Sequence, residues 1–273
     1  QRAEASLERI YAVLDAKPDR PDAITRLPAP TLAPALLVQN LSFAFPDAPD
    51  RPVLSNVSFR VGAGETVGIY GPVGSGKSVL LRLLSRLLDP PDATIFADGT
   101  DVRQIELGAW RNALCVVPQT AFLFSETIRE NIGFGATDES VQAAVQAAAL
   151  SVDIENLPEG LGTVVGERGI ALSGGQRQRV ALARGLIRNA PVVLLDDVLS
   201  AVDHHTEQEL ITTLRSRRGA TRLIVSHRLS ALVHTDRVLV LDGGRMVDQG
   251  THDELVSRPG PYADAWRIQQ ESA

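Results

Sequence analysis

Positions 71–78 of the sequence read GPVGSGKS, in which three glycines precede a lysine and a serine. Glycines allow the backbone to curl until successive N–H groups point at the oxygens of a phosphate chain. Lys77 can reach the outer phosphates, and the hydroxyl of Ser78 can bind Mg²⁺. An apolar run at 66–70 precedes the loop and a leucine-rich segment follows it, so a helix dipole adds to the attraction. The segment therefore predicts a strand–loop–helix site for nucleotide phosphates.

A second segment, PVVLLDD at 191–197, is an apolar strand that ends in two carboxylates, Asp196 and Asp197. A carboxylate at the end of such a strand holds the Mg²⁺ shell in proteins that bind nucleotides with a glycine-rich loop. Taken alone the pattern is weak, because buried strands often end in an Asp that caps the next element. Beside the loop at 71–78 it favours a metal site.

A third segment, LSGGQRQR at 172–179, predicts the start of a helix. Ser173 is a good N-cap, and the two glycines that follow leave backbone N–H groups unshielded at the helix N-terminus. A simple capped helix is the alternative, and the phosphate-binding loop argues against it. We therefore expect a second place where this chain can contact an anion.

Taken together, these segments resemble the ABC ATPase family, whose signature is LSGGQ, and the resemblance covers almost all of residues 36–258. It implies an α/β fold: a P-loop NTPase (RecA-like) core, an antiparallel β subdomain, and an α-helical subdomain at about 120–185 that carries the signature. It also implies ATP hydrolysis with ATP and Mg²⁺ bound, and a head-to-tail pair of ATPase domains.

The resemblance assigns roles to four further residues. Phe45 matches the aromatic that stacks on adenine, and Gln119 matches the glutamine that senses Mg²⁺ and the attacking water. His227 matches the switch histidine that contacts the γ-phosphate, and Asp203 matches the loop that crosses the dimer interface. The residues expected to contact nucleotide are Phe45, Gly71, Pro72, Val73, Gly74, Ser75, Gly76, Lys77, Ser78, Val79, Ser173, Gly174, Gly175, Gln176 and Asp203. The expected Mg²⁺ ligands are Ser78, Gln119 and Asp196, and the expected catalytic residues are Asp197, His227 and Gln119.

Two positions depart from the family pattern. Asp197 stands where the family usually has the glutamate that acts as general base or orients the water. Its carboxylate is shorter by one methylene, roughly 1.5 Å, and such a misplacement can cost on the order of a hundredfold in rate. We expect a site that binds ATP well and hydrolyses it slowly, as in heterodimeric exporters; a homodimer in which Asp197 still works is the alternative. Val79 replaces the usual threonine, with a modest expected effect because Ser78 keeps the hydroxyl.

Buried parallel strands alternating with helices are expected to position these residues. The predicted strands are 36–38, 41–45, 53–61, 66–70, 192–195, 222–225 and 237–241. The predicted helices are 79–88, 141–150 and 176–188, with a short one within 1–17. Cys115 lies in an apolar run and is expected to be a buried, inert thiol.

Composition limits the functional classes. The net charge of −6 argues against a nucleic-acid partner, and no apolar stretch approaches the ~20 residues of a membrane helix. VGERG at 165–169 resembles a loop of ABC exporters that contacts the membrane domain, and the opening residues resemble the end of a last membrane helix. We therefore expect 1–34 to be a linker from a missing transmembrane domain and 35–273 the ATPase domain, at the cytoplasmic face of the cell membrane.

Three alternatives stay open at this point. The first is a non-transport ABC ATPase of DNA repair, chromosome structure or translation, although coiled-coil insertions and tandem cassettes are missing from the 273 residues. The second is the separate ATPase subunit of an importer, against which the loop at 165–169 and the linker-like opening speak. The third is a nucleotide-dependent interaction module without turnover, which Asp197 keeps open.

Overall fold

The computed structural model describes residues 7, 10, 11, 14, 15, 29, 30, 32–166, 170–202, 204–216 and 219–271. The strands are β1 Leu36–Phe43, β2 Leu54–Val61, β3 Thr66–Tyr70, β4 Ile95–Ala97, β5 Thr100–Asp101, β6 Leu114–Val117, β7 Val192–Asp196, β8 Thr221–Val225, β9 Arg237–Asp242 and β10 Arg245–Gly250. The α-helices are α1 Lys77–Leu84, α2 Leu107–Asn112, α3 Ile128–Ile132, α4 Asp138–Ala147, α5 Ser151–Glu155, α6 Gly174–Leu186, α7 His204–Ser216, α8 His252–Val256 and α9 Pro261–Glu271.

The larger sheet has the strand order β10-β9-β3-β8-β7-β6, and all neighbours in it are parallel except β10 and β9. Strands β3, β7 and β8 are short, apolar and buried along nearly their whole length, as parallel strands covered on both faces must be. Their parallel direction puts the carboxyl ends of β3, β8 and β7 at one edge. The loops after these three strands are therefore neighbours.

The smaller sheet is antiparallel, in the order β2-β1-β4-β5. The two strands predicted at 36–38 and 41–45 are one strand, β1, which has an irregular register between Val38 and Leu41. Asn40 lies there with a φ of 48°, so the chain makes a bulge instead of ending. The strand ends at Phe43, two residues earlier than predicted, because a turn joins Phe45 to Ala48 by a hydrogen bond of 2.9 Å.

The helices keep the predicted order with shifted ends. Helix α1 begins at Lys77 and ends at Leu84, and Arg86 follows it with a φ of 51°. Helices α3, α4, α5 and α6 all lie between β6 and β7 in the chain, and α6 packs against α3 and α4. Residues 7, 10, 11 and 14 are helical and exposed, and the rest of the predicted first helix lies outside the described residues.

Both faces of the larger sheet are covered by buried apolar side chains. Trp110 of α2 is buried and its Nε1 donates to the carbonyl oxygen of Leu84, 3.0 Å away, which ties α2 to the end of α1. Cys115 is buried, as predicted. Among the described residues, none of the helices combines the length and apolar character needed to cross a bilayer. The expected α/β core with an added antiparallel sheet is confirmed.

Candidate functional site

The loop between β3 and α1 needs its glycines for two different reasons. Gly74 and Gly76 have φ values of 83° and 98°, in the left-handed region that other residues rarely adopt. A Cβ on Gly76 would lie 2.6 Å from the Leu54 side chain, and one on Gly71 would lie 2.0 Å from the carbonyl oxygen of Leu241. The loop therefore packs directly against β2 and β9, and no side chain larger than that of glycine fits at these two positions.

Lys77, the first residue of α1, is buried with its ammonium group on the loop. Its Nζ donates to the carbonyl oxygens of Gly71 and Pro72, both at 2.7 Å, and to the Ser75 hydroxyl at 3.3 Å. Burial lowers the pKa of this amine, and the nearby carboxylates of Asp196 and Asp197 oppose that effect. The lysine is thus held at the loop by carbonyl dipoles that a phosphate chain can replace.

Asp196 ends β7, two strands away from β3 in the sheet. Burial raises the pKa of its carboxyl group, and a hydrogen bond with the Ser78 side chain acts in the opposite direction. The charge of Asp197 also raises this pKa, and that of Lys77 lowers it. Two oxygen-bearing side chains from different elements, Ser78 and Asp196, therefore meet beside the lysine.

Asp197 follows with a φ of 52° and a ψ of 33° and is only 6% exposed. Its Oδ2 accepts from Nε2 of Gln119 at 3.4 Å, and its Oδ1 accepts from the backbone N–H of His227 at 3.2 Å. The left-handed backbone turns the carboxylate back across the ends of β6 and β8. One carboxylate therefore joins the residues that follow three neighbouring strands.

Lys77, Ser78 and Asp196, with Gln119 and His227, line a common cleft of about 240 Å³. Its walls are Val53, Val73, Gly74, Gly76, Lys77, Ser78, Val79, Gln119, Asp196 and His227. Only Val53 was not anticipated from the sequence, although it lies beside Gly76 and Gly244. The structure thus brings most of the predicted P-loop, metal and catalytic residues to one place.

The cleft lining does not include the predicted catalytic residue Asp197 or the predicted loop residues Gly71, Pro72 and Ser75, and it also lacks Phe45 and the signature residues. Phe45 is half-buried and packs edge-on against Phe43, with ring centroids 5.3 Å apart. The signature residues Ser173, Gly174, Gly175 and Gln176 form the start of α6, away from the cleft lining. Asp203 lies outside the described residues.

Ser173 caps α6 as predicted, within a capping box. Its Oγ accepts from the backbone N–H of Gln176 at 3.2 Å, and its own N–H donates to Oε1 of Gln176 at 2.9 Å. Both Ser173 and Gly174 are exposed at the surface. The start of α6 therefore presents a polar, outward-facing surface.

Sequence reasoning missed two glutamines that hydrogen-bond to the backbone of residues 118 and 227, next to or at the residues of this site. Gln178 is 4% exposed and donates to the carbonyl oxygen of Pro118 at 3.0 Å, which connects α6 to the residue before Gln119. Gln269 of α9 donates to the carbonyl oxygen of His227 at 2.8 Å and accepts from the backbone N–H of Leu229 at 2.9 Å. The polar Gln178 on the buried face of a predicted helix was a usable signal; Gln269 offered none.

Residues 54–200, more than half of the chain, match the family model described as ABC transporter. The chain belongs to the ABC transporter family. ABC transporter relatives include the probable multidrug resistance ATP-binding/permease protein YheI of Bacillus subtilis (strain 168), 42% identical over 99% of this chain and 46% of its own length. Another is the ATM1-type heavy metal exporter of Novosphingobium aromaticivorans, 44% identical over 87% of this chain and 40% of its own length.

Among solved ABC transporter structures, a bacterial Atm1-family ABC exporter with ATP bound matches with a TM-score of 0.91. It is 38% identical and covers 98% of this chain and 47% of its own. The chain thus spans about half the length of these relatives. The expected P-loop NTPase fold and membership of an ATPase family are confirmed. The individual residue roles stay predictions.

Proposed function

We propose that this chain is the ATP-binding and hydrolysing part of an ABC exporter, with 35–273 as the ATPase domain and 1–34 as the linker from a transmembrane domain. Its relatives include an ATP-binding/permease protein and a heavy metal exporter, each about twice as long as this chain. The exporter function, the domain limits and the place at the cytoplasmic membrane face rest on that similarity.

The observation that carries the proposal is the cleft at the ends of β3, β6, β7 and β8. The backbone N–H groups of 73–76 and the N-terminus of α1 cradle the phosphates of ATP. The Lys77 ammonium moves from the carbonyl oxygens of Gly71 and Pro72 to the outer phosphates. His227 and Gln119, both lining the cleft, face the terminal phosphate and the attacking water.

The residues present fit a magnesium ion. Ser78 and Asp196 offer oxygen ligands in mutual contact, and Mg²⁺ is usually held by one or two protein oxygens together with substrate phosphates and water. Among the described residues, no cluster of three His, Cys, Asp or Glu side chains offers a larger metal site. When bound, Mg²⁺ neutralises charge that develops on the phosphates. Gln119 is the third proposed ligand.

Asp197 is proposed to make this site slow. Its two carboxylate oxygens are engaged by Gln119 and by the backbone of His227, and the side chain is only 6% exposed. A glutamate here would extend about one methylene further, towards the proposed position of the water that must be oriented. We therefore propose a heterodimer in which the partner chain supplies the faster ATPase site. The alternative assembly is a homodimer in which Asp197 supports hydrolysis.

A second subunit is proposed to close over the nucleotide, head to tail. Val73, at the tip of the phosphate loop, is 89% exposed, which suits a residue covered by a partner. The surface that does the covering is the start of α6 with Ser173, joined by Asp203. Ser173 does not line its own chain's cleft, so the proposed closure needs a second chain.

The transmembrane domain is proposed to dock on a groove of about 570 Å³ beside α3. Phe124 and Phe134 line it and are 57% and 87% exposed. Arg184 of α6 also lines the groove. Its Nε donates to the carbonyl oxygen of Asn131 at 2.6 Å, and its Nη1 donates to that of Phe122 at 2.8 Å. The groove therefore shares a helix with the signature residues.

ATP turnover by the purified chain tests the function. We expect MgATP binding, slow release of phosphate, and loss of both in Lys77→Ala. Undiminished nucleotide affinity in Lys77→Ala, with its unfolding temperature unchanged, would contradict the proposed site. Purification of the longer protein in membranes, with transport and ATPase activity measured together, tests the exporter assignment.

A further inference from the structure

The carboxylate of Asp153, in the short helix α5, connects two residues of the signature helix α6. Its Oδ1 accepts from Nε2 of Gln176 at 3.0 Å, and its Oδ2 pairs with Nη2 of Arg179 at 2.7 Å. The Asp153 and Arg179 side chains are only 19% and 12% exposed. Because both charges are largely withdrawn from water, removing either partner leaves the other buried and uncompensated.

The contact with Asp153 fixes which way the amide of Gln176 points. A carboxylate accepts hydrogen bonds only, so it selects the NH₂ end of the amide and turns Oε1 towards the N–H of Ser173. That oxygen completes the capping box at the start of α6. A flipped amide would set its NH₂ group against the Ser173 N–H and break the box.

Arg179 makes the arrangement sensitive to the charge of Asp153. Its Nε is buried without a hydrogen-bond partner among the described residues. The guanidinium therefore depends on Asp153 for the compensation of its positive charge. Removing that negative charge leaves a buried cation beneath the first turns of α6.

We propose that Asp153 is the positioning residue of the signature loop, acting through Gln176 and Arg179 to hold Ser173 in the geometry that closes a nucleotide pocket on a second chain. The inference rests on the proposed head-to-tail closure. It differs from a role in the chain's own cleft, because none of these residues lines that cleft.

Asp153→Asn tests the proposal, since the substitution keeps the shape and removes the charge. Glu155→Gln is the matched control, with the same change of charge on an exposed residue of the same helix. Chains labelled with donor or acceptor dyes report dimer closure as ATPγS and Mg²⁺ are added. We expect unchanged nucleotide binding by the Asp153→Asn chain and a closure midpoint raised about tenfold, with Glu155→Gln like the wild type.

Mixing distinguishes action on the partner from damage to the chain itself. In a mixed dimer of Asp153→Asn and Lys77→Ala, one pocket combines an intact phosphate loop with an intact signature loop. We expect mixed dimers to close near the wild-type midpoint, while neither variant does so alone. Failure of the mixture to recover would overturn the proposal, and so would normal closure of Asp153→Asn by itself.

Two further measurements keep the result decisive. If thermal unfolding shows that Asp153→Asn is not folded, Gln176→Ala replaces it, because it cuts the link to Ser173 while keeping the pair of Asp153 with Arg179. Normal closure of that variant would overturn the proposal. A wild-type chain that stays monomeric at saturating nucleotide would instead overturn the two-subunit pocket of the proposed function, so the two failures are distinguishable.

Discussion

The side-chain amide of Gln119 donates to Oδ2 of Asp197 across 3.4 Å, although the two residues are 78 positions apart in the chain. The contact bridges the ends of the neighbouring parallel strands β6 and β7. It means that the residue proposed to sense Mg²⁺ and the residue in the position of the water-orienting carboxylate share one hydrogen bond. A change in the length of the side chain at 197 must therefore alter both.

Asp197→Glu is expected to raise the maximal rate of ATP hydrolysis, by up to about a hundredfold. The longer side chain brings the carboxylate nearer to the proposed position of the attacking water. Phosphate release at saturating MgATP measures the effect. Asp197→Asn is the matched control and should lower the residual rate. A rate that does not change with glutamate would favour the homodimer in which Asp197 works as it stands.

Gln269→Glu is expected to lower kcat several-fold while MgATP affinity stays the same. The new carboxylate still accepts from the N–H of Leu229 but repels the carbonyl oxygen of His227, to which the glutamine donates. Because His227 is proposed to contact the terminal phosphate, its displacement affects the chemical step. Gln270→Glu, at the exposed neighbouring position, is the control. Equal kinetics in the two variants would show that α9 does not hold His227 in place.

Asp196→Asn is expected to stabilise the nucleotide-free chain at neutral pH. The folded carboxyl has a pKa raised above the ordinary 3.8, so it binds a proton more tightly than the unfolded one. The favourable contribution of the Asp196 carboxyl group to stability is fully present below pH 3.8 and is lost as the pH rises through the folded pKa. The stability gained by the variant, from urea unfolding, should therefore grow from acidic to neutral pH. A stability gain that is the same at every pH would contradict this explanation. The same variant should also bind nucleotide more weakly in the presence of Mg²⁺.

Gly76→Ala is expected to destabilise the fold by more than Gly135→Ala. Both glycines have a positive φ, so alanine costs about 1 to 3 kcal/mol of backbone strain at either position. At Gly76 the added Cβ also meets Leu54 at 2.6 Å, whereas at Gly135 nothing lies within 4 Å. Urea unfolding of the two variants measures the difference. Equal losses of unfolding free energy in the two variants would mean that β2 moves away from the added methyl group without destabilising the fold.

The sequence predicted the parts of this site that lie within a continuous segment. The loop at 71–78, the strand ending in Asp196 and the cap at Ser173 are local patterns, because strand, turn and helix N-terminus follow from neighbouring residues. The bulge at Asn40 escaped prediction because it is pairing with β2 that keeps both halves of β1 in one sheet.

The parts that the sequence could not predict depend on contacts between distant segments. Asp153 lies 23 positions from Gln176, and Gln269 lies 42 from His227. Nothing in the residue types reveals these partners, because exposed acids and glutamines are common on helices. Only the packing of α5 on α6 and of α9 beside the end of β8 brings the groups together.

The hydrogen bond from Gln178 to the carbonyl oxygen of Pro118, with that from Arg184 to Phe122, fastens both ends of one short stretch of chain to α6. Gln119 lies within this stretch and lines the cleft. Phe124, just beyond the stretch, lines the groove beside α3. The cleft and the groove are therefore joined by one stretch of chain that α6 holds at both ends. A partner that displaced the phenylalanines of the groove would therefore be expected to shift the Gln119 amide as well, and a nucleotide that moved the amide would be expected to shift the phenylalanines.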